Sequence, residues 1–518
     1  MAGTWLGQDL ALFAGVSDGW EMGQIMADDD PDLFNLMWMR SAGTFGKPLC
    51  PVRLAYKKSD PRARGGGTSY TPETARRYFW ESVGTGAWHM GFIQWSGSLP
   101  DGEWGVKGTP AQQEIAAIFD EWHAMEGYFD DAWPVREPVA LYFSQPTWTL
   151  DGFQPLWTRL HRELTQRQIG YRILFDEQLL NGGLEGVSVL ISAENPVMSR
   201  RCSGALAAFA ERGGTLVTIG RNALEDERLW PNALVAQALR LEADSPALID
   251  RIARAVGDAR LLTVEATADR PYRAPAAEAT CGHHDTPFDL AGHESIGQTF
   301  TLRQPGLRAV SVSNPTYTKT LAGHELTLEL RQEGPGGALL ASKTYGPEDL
   351  TDNARHEVPL DAPGPAGTYY LRLVTPAGLP PQTLGTWGTR DDTYPGGSLH
   401  LDDQPAEGDL RLELVSDVER PAEAALEAFA LSDGVNAIAI LTNITDLRVD
   451  ADLTLSPALL PEAAYSVQDL ATDTPLGSVR RAAARVRTVV LPHRSAVLYF
   501  GAARPGNVEA QLAETEAA

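Results

Sequence analysis

The chain has 518 residues, 43% hydrophobic and 21% charged, which are globular proportions. At roughly 100–200 residues per domain it holds three or four domains. Its formal net charge of -25 argues against nucleic acid or an anionic membrane as partner, since phosphate binding needs clustered Lys and Arg, and suits a neutral ligand such as a carbohydrate. The three cysteines, Cys50, Cys202 and Cys281, are far apart and imply neither a disulfide framework nor a zinc site. No apolar run approaches the ~18 residues of a membrane span. The start, MAGTWLGQDLALFAGVSDGW, has no basic n-region and no cleavage signal, so the expectation is a cytoplasmic chain as written.

Residues 1–133 read as about three strand–helix units of an α/β barrel. Residues 9–16 form a strand ending in the turn Ser17-Asp18-Gly19, and residues 31–42 form a helix. A strand over 49–56 precedes a glycine-rich loop, and Thr71-Pro72-Glu73 opens a helix over 73–84 through an N-cap and a proline in the first turn. A strand over 87–95, a loop with Asp101-Gly102-Glu103-Trp104-Gly105, and a helix over 110–126 follow. Barrel enzymes gather their catalytic groups at the carboxyl ends of strands. Two acids read as lying there, Glu21 and Glu103, and they are the candidate catalytic residues. Trp20, Trp88, Trp95 and Trp104 cluster near the same ends, where flat aromatic faces can stack on sugar C–H faces. With Tyr56 and Gln94, the residues Trp20, Trp95 and Trp104 make the candidate substrate-binding set. His89 and His123 are isolated and read as structural.

Residues 134–260 carry short, fully apolar runs, Val139–Phe143, Tyr171–Phe175, Val187–Ser192 and Thr215–Ile219, alternating with amphipathic helices over 156–168 and 199–212. That pattern predicts a parallel sheet covered on both faces. Ser144-Gln145-Pro146 reads as a break after the first run. Gly213-Gly214 ends the second helix and opens the next strand. Cys202 lies three residues into a helix with no flanking turn glycines, a poor setting for a nucleophile. Ser245-Pro246 opens a last helix over 245–256, with the serine as N-cap and the proline in the first turn.

Residues 261–275 read as a strand and linker. Short alternating strands then appear at 296–302, 309–313, 325–332, 338–345, 356–359, 367–374 and 409–415, the pattern of an antiparallel, jelly-roll-like β-sandwich over 261–420. Trp387, Tyr394 and Tyr317 are its candidate glycan-stacking residues. No cofactor is implied, though Asp391-Asp392 or Asp402-Asp403 could help hold a structural calcium. His283-His284-Asp285 and His293 fit no zinc spacing. Strands at 435–442, 451–455, 464–469, 485–491 and 495–500 make a smaller C-terminal β-sandwich over 421–503, and residues 504–518 read as a disordered tail.

Several of these stretches resemble one family. "VALYFSQ", "VSVLISAENPVMS" and "LAAFAERGGTLVTIGR" resemble the flavodoxin/amidotransferase-like middle domain of family 42 glycoside hydrolases, the β-galactosidase trimerisation domain. "MRS", "GKP" and "GTGAWHMGFIQW" are similar to the last three units of that family's catalytic barrel, and "AIAILTNITD" and "LPHRSAVLYF" to a C-terminal glycosidase β domain. The resemblance implies a multidomain α/β plus β fold, a homotrimer, and a non-catalytic middle domain. It implies double displacement by two carboxylates about 5–5.5 Å apart on a β-linked neutral sugar, and it places Trp95 beside the sugar. The family's acid/base glutamate follows the fourth barrel strand, which lies outside these three units. Its nucleophile belongs near the end of strand 49–56, where Pro51-Val52-Arg53-Leu54-Ala55-Tyr56-Lys57 offers no carboxylate. The expectation is a β-galactosidase-like protein whose barrel segment is truncated, completed by a partner, or recast into another fold. The alternative is a non-catalytic glycan-binding or assembly protein that keeps the trimerisation domain.

Overall fold

The computed structural model describes residues 20–24, 49–54, 71–86, 91–93, 110–151 and 155–502, apart from 235, 244–246, 281–285, 318, 320, 322, 377, 393 and 395. The chain divides into two compact units, residues 1–270 with 421–518, and residues 271–420. The strand expected over 9–16, the helix over 31–42 and the tail over 504–518 lie outside the described residues.

The first unit begins with β1 (Trp20–Gln24), β2 (Leu49–Leu54) and β3 (Gly91–Ile93), paired in parallel and in chain order. Between β2 and β3 runs α1 (Pro72–Gly84), with Pro72 in its first turn and the Thr71 hydroxyl accepting from the Thr74 N–H at 3.1 Å. Helix α2 (Pro110–Met125) follows, then the two-residue strand β4 (Trp133–Pro134).

The next elements are β5 (Val139–Phe143), α3 (Gln145–Leu150), α4 (Pro155–Gln166), β6 (Arg172–Phe175), α5 (Asp176–Leu180), β7 (Val189–Val197), α6 (Arg200–Glu211), β8 (Thr215–Glu225), β9 (Leu239–Leu241) and α7 (Leu248–Val256). The five strands form one parallel sheet in the order β6-β5-β7-β8-β9. Strand alternation sorts its side chains cleanly. Val139, Leu141, Phe143, Ile173, Ile191 and Val217 face Trp157, Leu160 and Leu164 of α4 and Ile252 of α7. Ala140, Tyr142, Leu174, Leu190 and Leu216 face Cys202, Leu206 and Phe209 of α6.

Two local expectations are corrected, and one short helix joins the predicted elements. Ser144-Gln145-Pro146, read as a break, opens α3, because Ser144 caps it and Pro146 suits its first turn. The short helix α5 follows β6 directly, closed when the Gln178 side chain accepts from the Phe175 N–H at 2.8 Å. Helix α7 starts at Leu248 with Ala247 in the cap position and no side-chain cap bond; Ser245 and Pro246 lie outside the described residues.

Strand β10 (Leu262–Ala268) belongs to the same unit. The second unit then runs from β11 (Tyr272–Ala279) through β12 (Thr286–Asp289), β13 (Ile296–Leu302), β14 (Leu307–Asn314), β15 (Leu326–Gln332), β16 (Leu339–Tyr345), β17 (Ala354–Gly364), β18 (Gly367–Val374), β19 (Gly385–Thr389), β20 (Leu399–Leu401), β21 (Gln404–Ala406) and β22 (Asp409–Leu410) to β23 (Glu413–Arg420). A six-stranded sheet, β16-β15-β18-β13-β20-β21, and a four-stranded sheet, β11-β23-β14-β17, share one core, with Phe300, Leu328, Leu371 and Leu373 from the first and Val310, Val312, Val358 and Leu414 from the second. The small sheet β12-β19-β22 completes the unit.

The chain then returns to the first unit with β24 (Leu426–Ser432), β25 (Ala437–Asn443), β26 (Val449–Leu455), β27 (Ala464–Asp469), β28 (Thr474–Arg480), β29 (Arg485–Val490) and β30 (Ser495–Ala502). They form the sheets β28-β27-β30-β25-β24-β4 and β10-β26-β29, so β4 and β10 are drawn in from earlier in the chain. Tyr78 and Phe79 of α1 and Ile115 and Ile118 of α2 pack on Phe429, Ile438, Ile440 and Val497 of the larger sheet. Among the described residues, no helix is long and apolar enough to cross a membrane.

Candidate functional site

The candidate catalytic and sugar-lining residues of the first unit fall on β1 or outside the described residues. Trp20 and Glu21 were expected to follow a strand. The strand over 9–16 lies outside the described residues, and the two are themselves the first residues of β1, paired with Leu49 and Cys50 at the start of β2. Tyr56, Gln94, Trp95, Glu103 and Trp104 lie outside the described residues.

An open parallel sheet offers a second place for a ligand. It is the crevice beyond the carboxyl ends of the strands, where the strand order reverses, here between β5 and β7. In this chain that crevice is filled by the chain itself. The Asn195 side-chain oxygen accepts from the Ser144 N–H at 2.9 Å, and its Nδ2 donates to the Tyr142 carbonyl and the Ser192 hydroxyl, both at 3.0 Å. The Ser144 and Thr147 hydroxyls both donate to the Val197 carbonyl at 2.6 Å. Asn195, Ser144 and Thr147 are each 0% exposed, so this knot is a plug with its polar groups matched internally.

Around the plug the strand ends are equally committed. The Ser192 hydroxyl donates to Asn222 Oδ1 at 2.6 Å. Glu194 adopts a left-handed φ of +46° and accepts from Arg221 Nε at 2.8 Å, while Arg221 also reaches Asp151 at 3.2 Å. Gly220, at φ +60°, lies beneath that carboxylate; a Cβ there would stand 1.8 Å from Glu194 Oε1.

On the α6 side, the Tyr142 hydroxyl and the Gln145 N–H donate to Asp176 at 2.8 and 3.1 Å. Burial pushes the Asp176 carboxyl above its usual range despite those donors. Cys202 is 0% exposed, and burial, then the Asp176 charge, pushes its thiol up to about 12. A thiol held protonated and out of solvent is no nucleophile. The middle domain therefore presents a structural thiol and a closed crevice.

The second unit separates its three aromatic candidates. Tyr394 packs against the sandwich core. Trp387 on β19 is half-buried and donates from Nε1 to Asn353 Oδ1 at 2.7 Å. The Tyr317 hydroxyl sits beside Gly385, two residues before Trp387 on the same strand. Asp402 and Asp403 are committed to protein donors rather than arranged for calcium. Asp402 accepts from His293 at 3.0 Å and from the Glu294 N–H at 2.6 Å. Asp403 accepts from Arg372, from the Tyr370 hydroxyl at 3.0 Å and from Ser295. Asp391 and Asp392 are exposed, and the described residues include no cluster of three or more metal-ligating side chains. His283, His284 and Asp285 lie outside the described residues. Asn353 and Gly385 had no sequence signal, since each matters through a neighbour distant in the chain.

No family model matches the sequence, and no curated protein matches it. Among solved structures the chain is similar to a β-galactosidase from Bacillus circulans sp. alkalophilus, at 13% identity and a TM-score of 0.48, covering 96% of this chain and 62% of that one. A β-galactosidase from Rahnella sp. R3 is similar at 12% identity and a TM-score of 0.43, covering 95% of this chain and 61% of that one. An α-L-fucosidase isoenzyme 2 from Paenibacillus thiaminolyticus is similar at 12% identity and a TM-score of 0.45, covering 96% of this chain and 67% of that one. The chain thus spans less than two thirds of the length of these β-galactosidases. Likeness at this level assigns neither activity nor substrate.

Proposed function

We propose that this chain is a glycoside hydrolase-like protein acting on β-linked neutral sugars, β-galactosides first, and that its middle domain serves assembly into a homotrimer. The observation that supports the reading is the sheet β1-β2-β3, parallel and paired in chain order with α1 between β2 and β3, as consecutive units of an α/β barrel are arranged. The plugged crevice and the buried Cys202 support a middle domain without chemistry of its own.

Hydrolysis would run by double displacement. One carboxylate attacks the anomeric carbon while a second protonates the leaving oxygen, and water then releases the sugar with the second group acting as base. Glu103, which follows β3 in the chain, is the first acid to test. Glu21 stands at the amino end of β1, opposite to the end where barrels gather catalytic groups, and is the second. Trp20, Tyr56, Gln94, Trp95 and Trp104 would line the sugar.

The test is release of nitrophenol from aryl β-galactosides by the chain and by Glu103→Gln and Glu21→Gln. Loss of a carboxylate that moves the reacting proton lowers turnover by about 10²–10⁴-fold. Turnover untouched by both substitutions removes both acids from the reaction. No turnover by the wild-type chain favours the non-catalytic binding or assembly reading, for which the absence of a carboxylate in β2 (LCPVRL) also speaks.

A further inference from the structure

The second unit carries a pair of aromatic side chains that its fold holds from several directions. Trp387 and Gly385 alternate onto the same face of β19, about 7 Å apart along the strand. Gly385 leaves that face open at its own position, and the Tyr317 hydroxyl fills the space; a Cβ on Gly385 would stand 2.9 Å from it. The segment bearing Tyr317 is tied to the strand by the Gly385 N–H donating to the Pro315 carbonyl at 2.9 Å and by Asn314 Nδ2 donating to the Gly385 carbonyl at 2.7 Å. On the other side, Asn353 Oδ1 fixes the indole N–H of Trp387.

Both supports adopt a backbone that L residues avoid. Tyr317 lies at φ +52° and Asn353 at φ +60°. Tolerance of a left-handed conformation is ordinary for Asn but not for Tyr, which has no short polar side chain to compensate. Such strain persists where the surroundings over-determine it, and it gathers at ligand clamps. Here Asn353 bonds the Trp387 indole, and the strained Tyr317 lies beside Gly385, two residues before it on β19. Trp387, Tyr317 and Tyr394 are all half-buried, and of the three Tyr394 packs against the sandwich core.

We propose that Trp387 and Tyr317 form a binding platform for a neutral glycan in the second unit. The indole face stacks on the C–H face of a sugar ring, and the Tyr317 hydroxyl, one sugar-length along the strand, bonds a ring hydroxyl. A fixed indole and a tethered phenol lose little freedom on binding, so more of the contact energy appears as affinity. Burial and then the Asp289 carboxylate push the Tyr317 phenol up, which keeps it a neutral donor. The net charge of -25 disfavours acidic polysaccharides. The platform is independent of the hydrolytic reading and needs no turnover to be seen.

Native affinity electrophoresis of the full chain tests it, in gels containing neutral β-1,4-galactan, neutral β-1,4-glucan or acidic polygalacturonate. The wild-type chain should be retarded by a neutral polysaccharide and not by polygalacturonate. Trp387→Ala should weaken the apparent affinity about tenfold, as loss of a central aromatic anchor does. Tyr317→Gly should weaken it as well, and this variant relieves the positive φ while removing the ring, so it keeps the fold. Unchanged urea midpoints confirm that both variants are folded. Absence of retardation in both neutral gels, or retardation of both variants equal to that of the wild type, overturns the proposal.

Discussion

Cys202 and its neighbours show how a single environment decides chemistry. The thiol is enclosed by α6 and the sheet, and its proton is held by burial and the Asp176 charge. Iodoacetamide at about pH 8 should leave the Cys202 peptide of the native chain unmodified and label it fully in denaturant, as read by peptide mass; native labelling would contradict the buried placement. Asp176 carries a pH signature of its own. Its folded pKa is raised from 3.8, so the folded state holds the proton more tightly than the unfolded state. The contribution is complete below the unfolded value and is lost as pH rises through the folded one. Asp176→Asn keeps an acceptor for Tyr142 and Gln145 and removes the charge. Urea midpoints of this variant should change less from about pH 4 to about pH 8 than those of the wild type; an unchanged slope would contradict the assignment. Gly220 is required twice, by its φ of +60° and by the Glu194 carboxylate above it. Gly220→Ala should lower stability by more than ~1 kcal/mol in denaturant titration.

At the scale of elements, the docking of α1 onto the C-terminal sheet rests on apolar packing and one charged pair. Arg77 donates from Nε to Glu427 Oε1 at 2.9 Å, and the Glu427 side chain is only 3% exposed. Arg77→Met leaves that carboxylate buried without its cation, a change that costs about 3–5 kcal/mol when the pair is buried. A shift of under ~1 kcal/mol in unfolding free energy would show the pair to be effectively solvated. The same region shows what a sequence reveals. Thr71-Pro72 announced its helix because capping is local chemistry, with the side-chain oxygen accepting an N–H three residues on. The apolar strand β5, the apolar runs within β6 and β7, and the period-two alternation of β15 were equally legible. Strands β4, β19 and β20 were not. They are two to five residues long, and β19 is GTWGT, whose glycines read as turn. Its strand character comes from pairing with β12 and β22, residues about a hundred and about twenty positions away. Nor did any local pattern show that α1 and α2 would cover strands from the far end of the chain.

For the whole molecule, the candidate site was legible as residue types and not as geometry. The acids and tryptophans of residues 20–104 could be named from spacing, but among the candidates there only Trp20 and Glu21 fall within the described residues, at the start of β1. The second unit shows the converse. Trp387 and Tyr317 are 70 positions apart and become one feature only through the ties between β19 and the segment around Pro315. The proposed homotrimer predicts that sedimentation finds three chains per particle, whereas a stable monomer would count against it. The most direct test of the hydrolytic account is proton NMR of an aryl β-galactoside incubated with the chain. The account predicts that the β-anomer of the free sugar appears first and then mutarotates, the outcome of two displacements. First appearance of the α-anomer, or no sugar released at all, would contradict it.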